Sequence, residues 1–319
     1  QFAETSAVSG NGISVGSQRN LSNNFIVDGL SANDDAAALG GMTYGVDAVE
    51  QFQVVTSGGQ AELGRALGGY INVVTRSGTN TRQGDAYIFV RDDAFNGRNA
   101  LLNQTLPMHQ NQFGGSVGGP LVRDRTFVFG NIERKGLDQT GLVTIVDTPA
   151  NPNVAAISAR LAAVGYKGPA ISTGVFDDPV DTTNAVFKVD QHVRASSHLS
   201  VRYSAYDVKA TNVSRAGGLT ASTAATGLDN LDQTIAVSNI AVLSSRIVNE
   251  TRGQVAWSDL KAPPSDPIGP AVSISGVASF GTASGSPTRR TDTMYQLVDS
   301  LSMQAGAHAV RAGVDLLYN

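Results

Sequence analysis

Alternation with a period of two residues is the feature that most constrains the fold of this sequence. Between Leu199 and Ala205, apolar side chains alternate with Ser200, Arg202 and Ser204. Comparable alternation runs through residues 184–193, 247–260 and 308–318. Because successive side chains of a β-strand point to opposite faces, this period predicts strands with one apolar and one polar face.

The lengths of the connections between these strands alternate as well. Short connections are expected at 120–124, 194–197, 244–246 and 305–307, and long polar ones at 93–110, 136–183, 209–230 and 261–290. Short turns on one side and long loops on the other are typical of outer-membrane barrels. A soluble β-sandwich would give similar strands. The pattern predicts about nine strands, an odd number that cannot close a usual bacterial barrel, so we expect only part of a wall.

Composition excludes several classes of protein. The chain has 35 Gly residues and a charged fraction of 16%, which suit turns and strands better than helical bundles. A formal net charge of -4 gives no reason to expect a nucleic-acid partner. The chain contains no Cys, so disulfides and thiolate metal sites are excluded. It also lacks a run of ~18 apolar residues, the length that a transmembrane helix needs.

A motif within residues 48–78, AVEQFQVVTSGGQAELGRALGGYINVVTRSG, resembles the plug segment of TonB-dependent receptors. The residues of this motif are Val49, Glu50, Gly64, Arg65, Gly68, Gly69, Ile71, Asn72, Val73 and Thr75. Gly68 and Gly69 are expected to allow a sharp turn into the strand that follows them, with positive φ or a close contact at one of the two. Ile71 and Val73 would then contribute to a thin core.

Further motifs resemble the Oar-like branch of the same family. They are FIVDG at 25–29, AELGR at 61–65, TRSGTN at 75–80, QFGGSVGGPL at 112–121 and DRTFVFG at 124–130. Their order across about 110 residues is far more specific than a single motif match. The resemblance implies a mainly β chain: the C-terminal part of a small α+β plug domain (1–80), followed by the N-terminal, antiparallel part of a transmembrane β-barrel (81–319).

The function implied by the resemblance is binding and import of an extracellular ligand through a plugged barrel in the bacterial outer membrane. The expected partners are TonB with its inner-membrane motor complex, outer-membrane lipid and a ligand of unknown identity. No cofactor is expected. An adhesion or surface-structural β protein without active transport is the alternative, and extraction from the outer membrane only by detergent would favour the barrel over a soluble sandwich.

Several positions bear on the site. Many receptors of this class carry a Glu–Arg lock around the second plug strand, but the aligned residues here are Gln53 and Thr56, so that lock is not expected. Ser116 lies in a GGSVG sequence, which formally matches a nucleophile elbow, yet the following Gly-Gly-Pro cannot begin a good helix. We therefore expect no enzyme. A polar cluster is expected to form a plug loop facing the ligand; it comprises Asp28, Asn33, Asp34 and Asp35. The spacing of a calcium loop is missing there.

Overall fold

The computed structural model describes residues 22–34, 39–40, 43–56, 64, 66–98, 105–214, 216–283 and 285–319. It is mainly β and contains two principal sheets. Of the helices in these ranges, none has the length and apolar character needed to cross a membrane.

The first sheet, called here the small sheet, is formed by N-terminal strands. The strands of this region are β1 (Asn24–Val27), β2 (Leu30–Ser31), β3 (Asn33–Asp34), β4 (Leu39–Gly40), β5 (Val49–Val55) and β6 (Tyr70–Thr75). The small sheet has the order β2-β1-β6-β5, with β1 and β6 parallel, while β3 and β4 pair separately. A 3-10 turn at Val46–Ala48 precedes β5. The apolar core of the small sheet is thin, as the motif predicts, and includes the buried Ile26, Val27, Leu30 and Ile71.

The second sheet, called here the wall, contains nine long strands in one antiparallel path. They are β7 (Gln83–Asp92), β8 (Met108–Val122), β9 (Thr126–Val143), β13 (Val180–Arg194), β14 (Ser197–Ser214), β15 (Thr226–Ser244), β16 (Ile247–Ala262), β19 (Thr288–Ala305) and β20 (His308–Tyr318). Five short strands lie in the connections: β10 (Asp147–Thr148), β11 (Asn151–Pro152), β12 (Gly174–Asp177), β17 (Val272–Ile274) and β18 (Ala278–Phe280). Each wall strand pairs with the next one in the path, and the number agrees with that expected from the alternation.

Short connections join the wall strands at one end. Residues 195–196, 245–246 and 306–307 form three of them, which confirms the predicted turns. The fourth prediction, 120–124, was displaced, because β8 continues through Pro120 to Val122 and the turn occupies 123–125. A register shift between Pro120 and Val122 explains the difference, since a bulge accommodates a proline that cannot donate a ladder hydrogen bond.

The long connections at the other end are more ordered than the sequence suggested. They hold β10 (Asp147–Thr148), β11 (Asn151–Pro152), α1 (Asn153–Ala163), β12 (Gly174–Asp177), a 3-10 turn (Ser222–Ala224), β17 (Val272–Ile274) and β18 (Ala278–Phe280). Three of these connections share an apolar cluster of Val143, Ile145, Ile171, Ala221, Ala278 and Phe280. The loop expected from residue 136 begins later, because β9 extends to Val143 and pairs with β12.

Opposite faces of the wall differ in polarity, as the alternation predicts. On the face toward the small sheet, β13 and β14 bury Lys188, Asp190, Arg202 and Ser204. On the other face, Phe187, Val201 and Tyr203 are exposed. The wall therefore presents a polar face to the small sheet and an apolar face outward.

Candidate functional site

The centre of the interface between the two sheets is the carboxylate of Asp28. Asp28 and Gly29 form the turn from β1 to β2, and both have left-handed backbone, with φ values of 50° and 79°. One carboxylate oxygen, Oδ1, accepts a hydrogen bond from the backbone N–H of Thr75 at 2.8 Å, and Oδ2 accepts one from the Thr75 hydroxyl at 2.7 Å. Asp28 therefore ties the end of β1 to the end of its parallel neighbour β6.

Two cations of the wall reach the same pair of residues. The Arg202 guanidinium forms an ion pair and hydrogen bond with the Asp28 carboxylate. Lys188 Nζ donates to the carbonyl oxygen and to the hydroxyl of Thr75, at 3.2 Å in each case. Lys188 and Arg202 are direct cross-strand partners on β13 and β14. Like charges in that position repel each other, so the carboxylate of Asp28 offsets an otherwise unfavourable pairing.

The electrostatics of Asp28 follow from this arrangement. Burial would raise the pKa of the carboxyl, because it disfavours the charged form. The charges of Arg202 and Lys188 and the two hydrogen bonds from Thr75 outweigh burial, so the pKa of Asp28 is lowered from its ordinary value. The carboxylate is thus held in its charged form at neutral pH. Tyr44 makes a cation–π contact with Arg202, because its ring centroid lies 5.9 Å from the guanidinium carbon.

A second, uncharged contact lies farther along the wall. Gln254 Nε2 donates to the carbonyl oxygen of Ser31 at 2.7 Å, and the Ser31 N–H donates to Gln296 Oε1 at 2.8 Å. Gln254 also donates to Gln296 at 2.8 Å, so the two amides are oriented by each other. Both amides are buried. The edge strand β2 is therefore hydrogen-bonded to the wall through its own backbone groups.

The segment that leads from the small sheet into the wall makes a third contact. Arg76 lies 3.7 Å from Glu50 in β5 and 4.0 Å from Asp85 in β7, and all three side chains are substantially exposed. Such pairs contribute little to stability. Gly78 is more constrained, because a Cβ at this position would lie 2.2 Å from the carbonyl oxygen of Val128 in β9.

The structure distributes the predicted motif residues over this interface. Val49 and Glu50 begin β5, while Ile71, Asn72, Val73 and Thr75 lie in β6; of these, Thr75 contacts the wall cations. Among the described glycines of the motif, the one with positive φ is Gly64, at 77°. The Gly68 and Gly69 N–H groups instead donate to Ser22 and Asn23 at the start of β1. Arg65 lies outside the described residues.

The polar cluster after β1 is engaged in internal contacts where it can be described. Asn33 Nδ2 donates to Asn24 at 2.6 Å and to Ser31 at 3.1 Å, and Asn33 Oδ1 accepts from the Phe25 N–H at 3.0 Å. Asp34 belongs to β3, and Asp35 lies outside the described residues. A ligand-facing role for this cluster stays a prediction.

Two features of the site were not apparent from sequence. The first is the contact of Lys188 and Arg202 with Thr75 and Asp28. Two cations opposite each other on neighbouring strands require a nearby anion, and this pairing is the signal that could have revealed the contact. The second is the position of the charged contact between the small sheet and the wall, which the structure shows at Asp28 and which the plug motif does not predict. Ser116 lies within β8 with its hydroxyl donating to Asp85 at 3.0 Å, which is not the strand-to-helix turn of a nucleophile elbow. Within the described ranges, no cluster of three or more candidate metal ligands occurs.

Comparison with known proteins agrees with this architecture. A family model described as outer membrane beta barrel domain matches residues 74–177 and 150–319, which together make up more than half of the chain. The TonB-dependent transporter Oar of Myxococcus xanthus is 32% identical over 126 residues, which amount to 37% of this chain and 12% of that protein.

Solved structures extend the similarity to the fold. A mutant of the ferric enterobactin receptor PfeA from Pseudomonas aeruginosa has a TM-score of 0.62 at 11% identity, over 98% of this chain and 44% of that receptor. The siderophore receptor PirA from Acinetobacter baumannii has a TM-score of 0.60 at 13% identity, over 93% of this chain and 40% of PirA. The chain thus spans less than half the length of each of these relatives. It belongs to the outer membrane beta barrel family, resides in the bacterial outer membrane, and is similar in sequence and fold to TonB-dependent receptors.

Proposed function

We propose that this chain is part of a receptor that binds an extracellular ligand and imports it through a plugged barrel, with energy transmitted by TonB from the inner membrane. In this proposal the small sheet belongs to the plug (1–80) and the wall to the barrel (81–319). The chain acts as a transporter component and not as an enzyme. The observation that carries the proposal is the polar contact between the small sheet and the wall, centred on Asp28, Thr75, Lys188 and Arg202.

The chemistry of this interface suits a part that must both close a pore and move. A large dry interface would fix the small sheet permanently, because separating it would expose apolar surface to water. Here the small sheet contacts the wall through hydrogen bonds and ion pairs, which water can replace one at a time when the small sheet shifts. The interface is therefore specific in the resting state and reversible under force.

Binding to TonB tests the energy-coupling part of the proposal. The full-length receptor in detergent would be titrated with the soluble C-terminal domain of TonB from the same bacterium, and heat would be recorded by calorimetry. We expect saturable binding to a single site. A porin of the same bacterium in the same detergent is the control, and it should give no saturable binding. No binding by the folded full-length receptor would contradict energy coupling through TonB.

A further inference from the structure

Three of the four short connections of the wall are preceded by a β-bulge. The pairing register shifts between Pro120 and Val122, between His192 and Arg194, and between Val242 and Ser244. Each shift inserts one extra residue into a strand just before its turn, as a β-bulge does. No such shift occurs in the fourth hairpin, where Ala305 pairs directly with His308.

The inserted residues are all apolar and exposed. Leu121 is 67% exposed, Val193 is 47% exposed and Leu243 is 63% exposed. Exposing such side chains to water has a cost, and a bulge is a common means of re-aiming a side chain at the end of a strand. The recurrence of an exposed apolar bulge residue in three hairpins indicates an apolar environment at this edge of the wall.

An exposed arginine follows each of these apolar residues within three positions. Arg123 and Arg125 flank Asp124 in the first turn, Arg194 ends β13, and Arg246 ends the turn after β15. The one acidic residue of these three turns is Asp124, and its carboxylate accepts a hydrogen bond from Asn80 at 2.5 Å. The fourth hairpin, which lacks the bulge, also lacks an arginine in its turn.

We propose that these three hairpin ends form an anchor for anionic phospholipid in the inner leaflet of the outer membrane. The apolar bulge residue enters the acyl-chain boundary, and the arginine beside it binds a lipid phosphate, for which its planar guanidinium is well suited. The proposal rests on the barrel assignment, because that assignment puts short turns on the periplasmic side.

The pairing of the two side-chain types favours lipid over a soluble partner. An acidic periplasmic protein could bind the arginines, but it would give no reason for an exposed Leu or Val at each of the same three positions. A bilayer boundary supplies both chemistries at a fixed depth, with phosphates directly beside acyl chains. The wall beyond these ends continues with outward apolar residues such as Val117 and Phe187.

Lipid retention by the full-length receptor tests this inference. The purified receptor would be incubated with equal amounts of phosphatidylglycerol and phosphatidylcholine of identical acyl chains, and bound lipids would be counted by native mass spectrometry. We expect a preference for phosphatidylglycerol that weakens with added salt. Since each arginine at an anionic surface contributes about 1 kcal/mol, Arg194→Gln with Arg246→Gln should weaken that binding about thirtyfold.

A matched control carries the same change of charge at the opposite end of the wall. Arg160→Gln with Lys167→Gln removes two exposed cations from the long connection that contains α1, and lipid retention should stay at the wild-type value. Leu121→Ser with Leu243→Ser keeps every arginine and should reduce retention of both lipids. Equal losses in the two charge variants, or no preference for phosphatidylglycerol in the wild type, would overturn the inference. Because TonB is absent from this assay, its failure would leave the proposed transport function untouched.

Discussion

The partly exposed carboxylate of Asp28 compensates two buried cations of the wall. Its partner Arg202 has a side chain that is 4% exposed, and Lys188 is 7% exposed. Removing two cations from water is costly unless an anion and hydrogen bonds compensate them. Asp28 and Thr75 supply that compensation from the small sheet, so the wall cations favour the docked position of the small sheet.

Asp28→Asn is predicted to loosen the docked state. The substitution leaves Arg202 and Lys188 buried without their counter-charge, which should cost about 3–5 kcal/mol. Hydrogen exchange of the full-length receptor should show faster exchange in β1 and β6, with little change in β15 and β16. The double variant Asp28→Asn with Arg202→Gln should lose less stability of the docked state than the single variant, because one unpaired cation is then removed. An equal or larger loss in the double variant would contradict the pairing.

The contact of Asp28 with the wall is predicted to weaken at acidic pH. Because the pKa of Asp28 is lowered in the folded state, its stabilising effect is complete above the ordinary value of 3.8 and is lost as the pH falls through the lower, folded value. Exchange of β6, corrected for the intrinsic effect of pH, should therefore rise below about pH 4 in the wild type. In Asp28→Asn this rise should be smaller. Identical pH profiles for the two proteins would exclude Asp28 as the titrating group.

Among the strands, helices and turns, those with a local signal could be predicted from the sequence. Alternation within a strand and the short turns between strands depend on neighbouring residues, so the nine wall strands and three turns were predictable. The helix α1 and strand β12 were not, because they lie in polar connections and are held by an apolar cluster shared among distant segments. The contact of Asp28 with Arg202 spans 174 positions, and no local pattern reveals such a pairing.

Gly78 lies in the segment that joins the two sheets, and its substitution is predicted to disrupt assembly of the folded receptor. In Gly78→Ala the added methyl group would meet the backbone of Val128 at 2.2 Å, so β9 or the joining segment must move. We expect a smaller fraction of heat-modifiable, folded receptor on unheated gels. Gly97→Ala is the matched control, since a Cβ at Gly97 would meet nothing within 4 Å. A folded fraction for Gly78→Ala equal to that of Gly97→Ala would show that this close approach is unimportant.

In the assembled molecule, the small sheet lies against one face of the wall. A Cβ at Gly45 would stand 3.5 Å from the Cβ of Glu133 in β9, within the range that a disulfide spans. Residues 1–319 contain no cysteine, so Gly45→Cys with Glu133→Cys introduces a defined pair once any cysteine elsewhere in the full-length receptor has been replaced by serine. Oxidation of the full-length variant should consume both thiols.

Two further pairs control for this cross-link. Gly84→Cys with Val117→Cys lies within the wall at a Cβ separation of 3.8 Å and should also close. Gly45→Cys with Tyr203→Cys combines the same first position with the outward face of β14, and it should keep both thiols free. Cross-linking of the pair with Tyr203, or failure of the pair with Glu133, would contradict the docked arrangement.

Ion conductance across a planar lipid bilayer tests most directly whether the small sheet closes the barrel. The full-length receptor in KCl should show no steady conductance, whereas a receptor lacking residues 22–75 should form a continuously open pore. Heat-modifiable migration on gels would confirm that both proteins are folded barrels. A small, equal conductance for the two proteins, or an equally open pore in the intact receptor, would contradict the assignment of the small sheet as a plug.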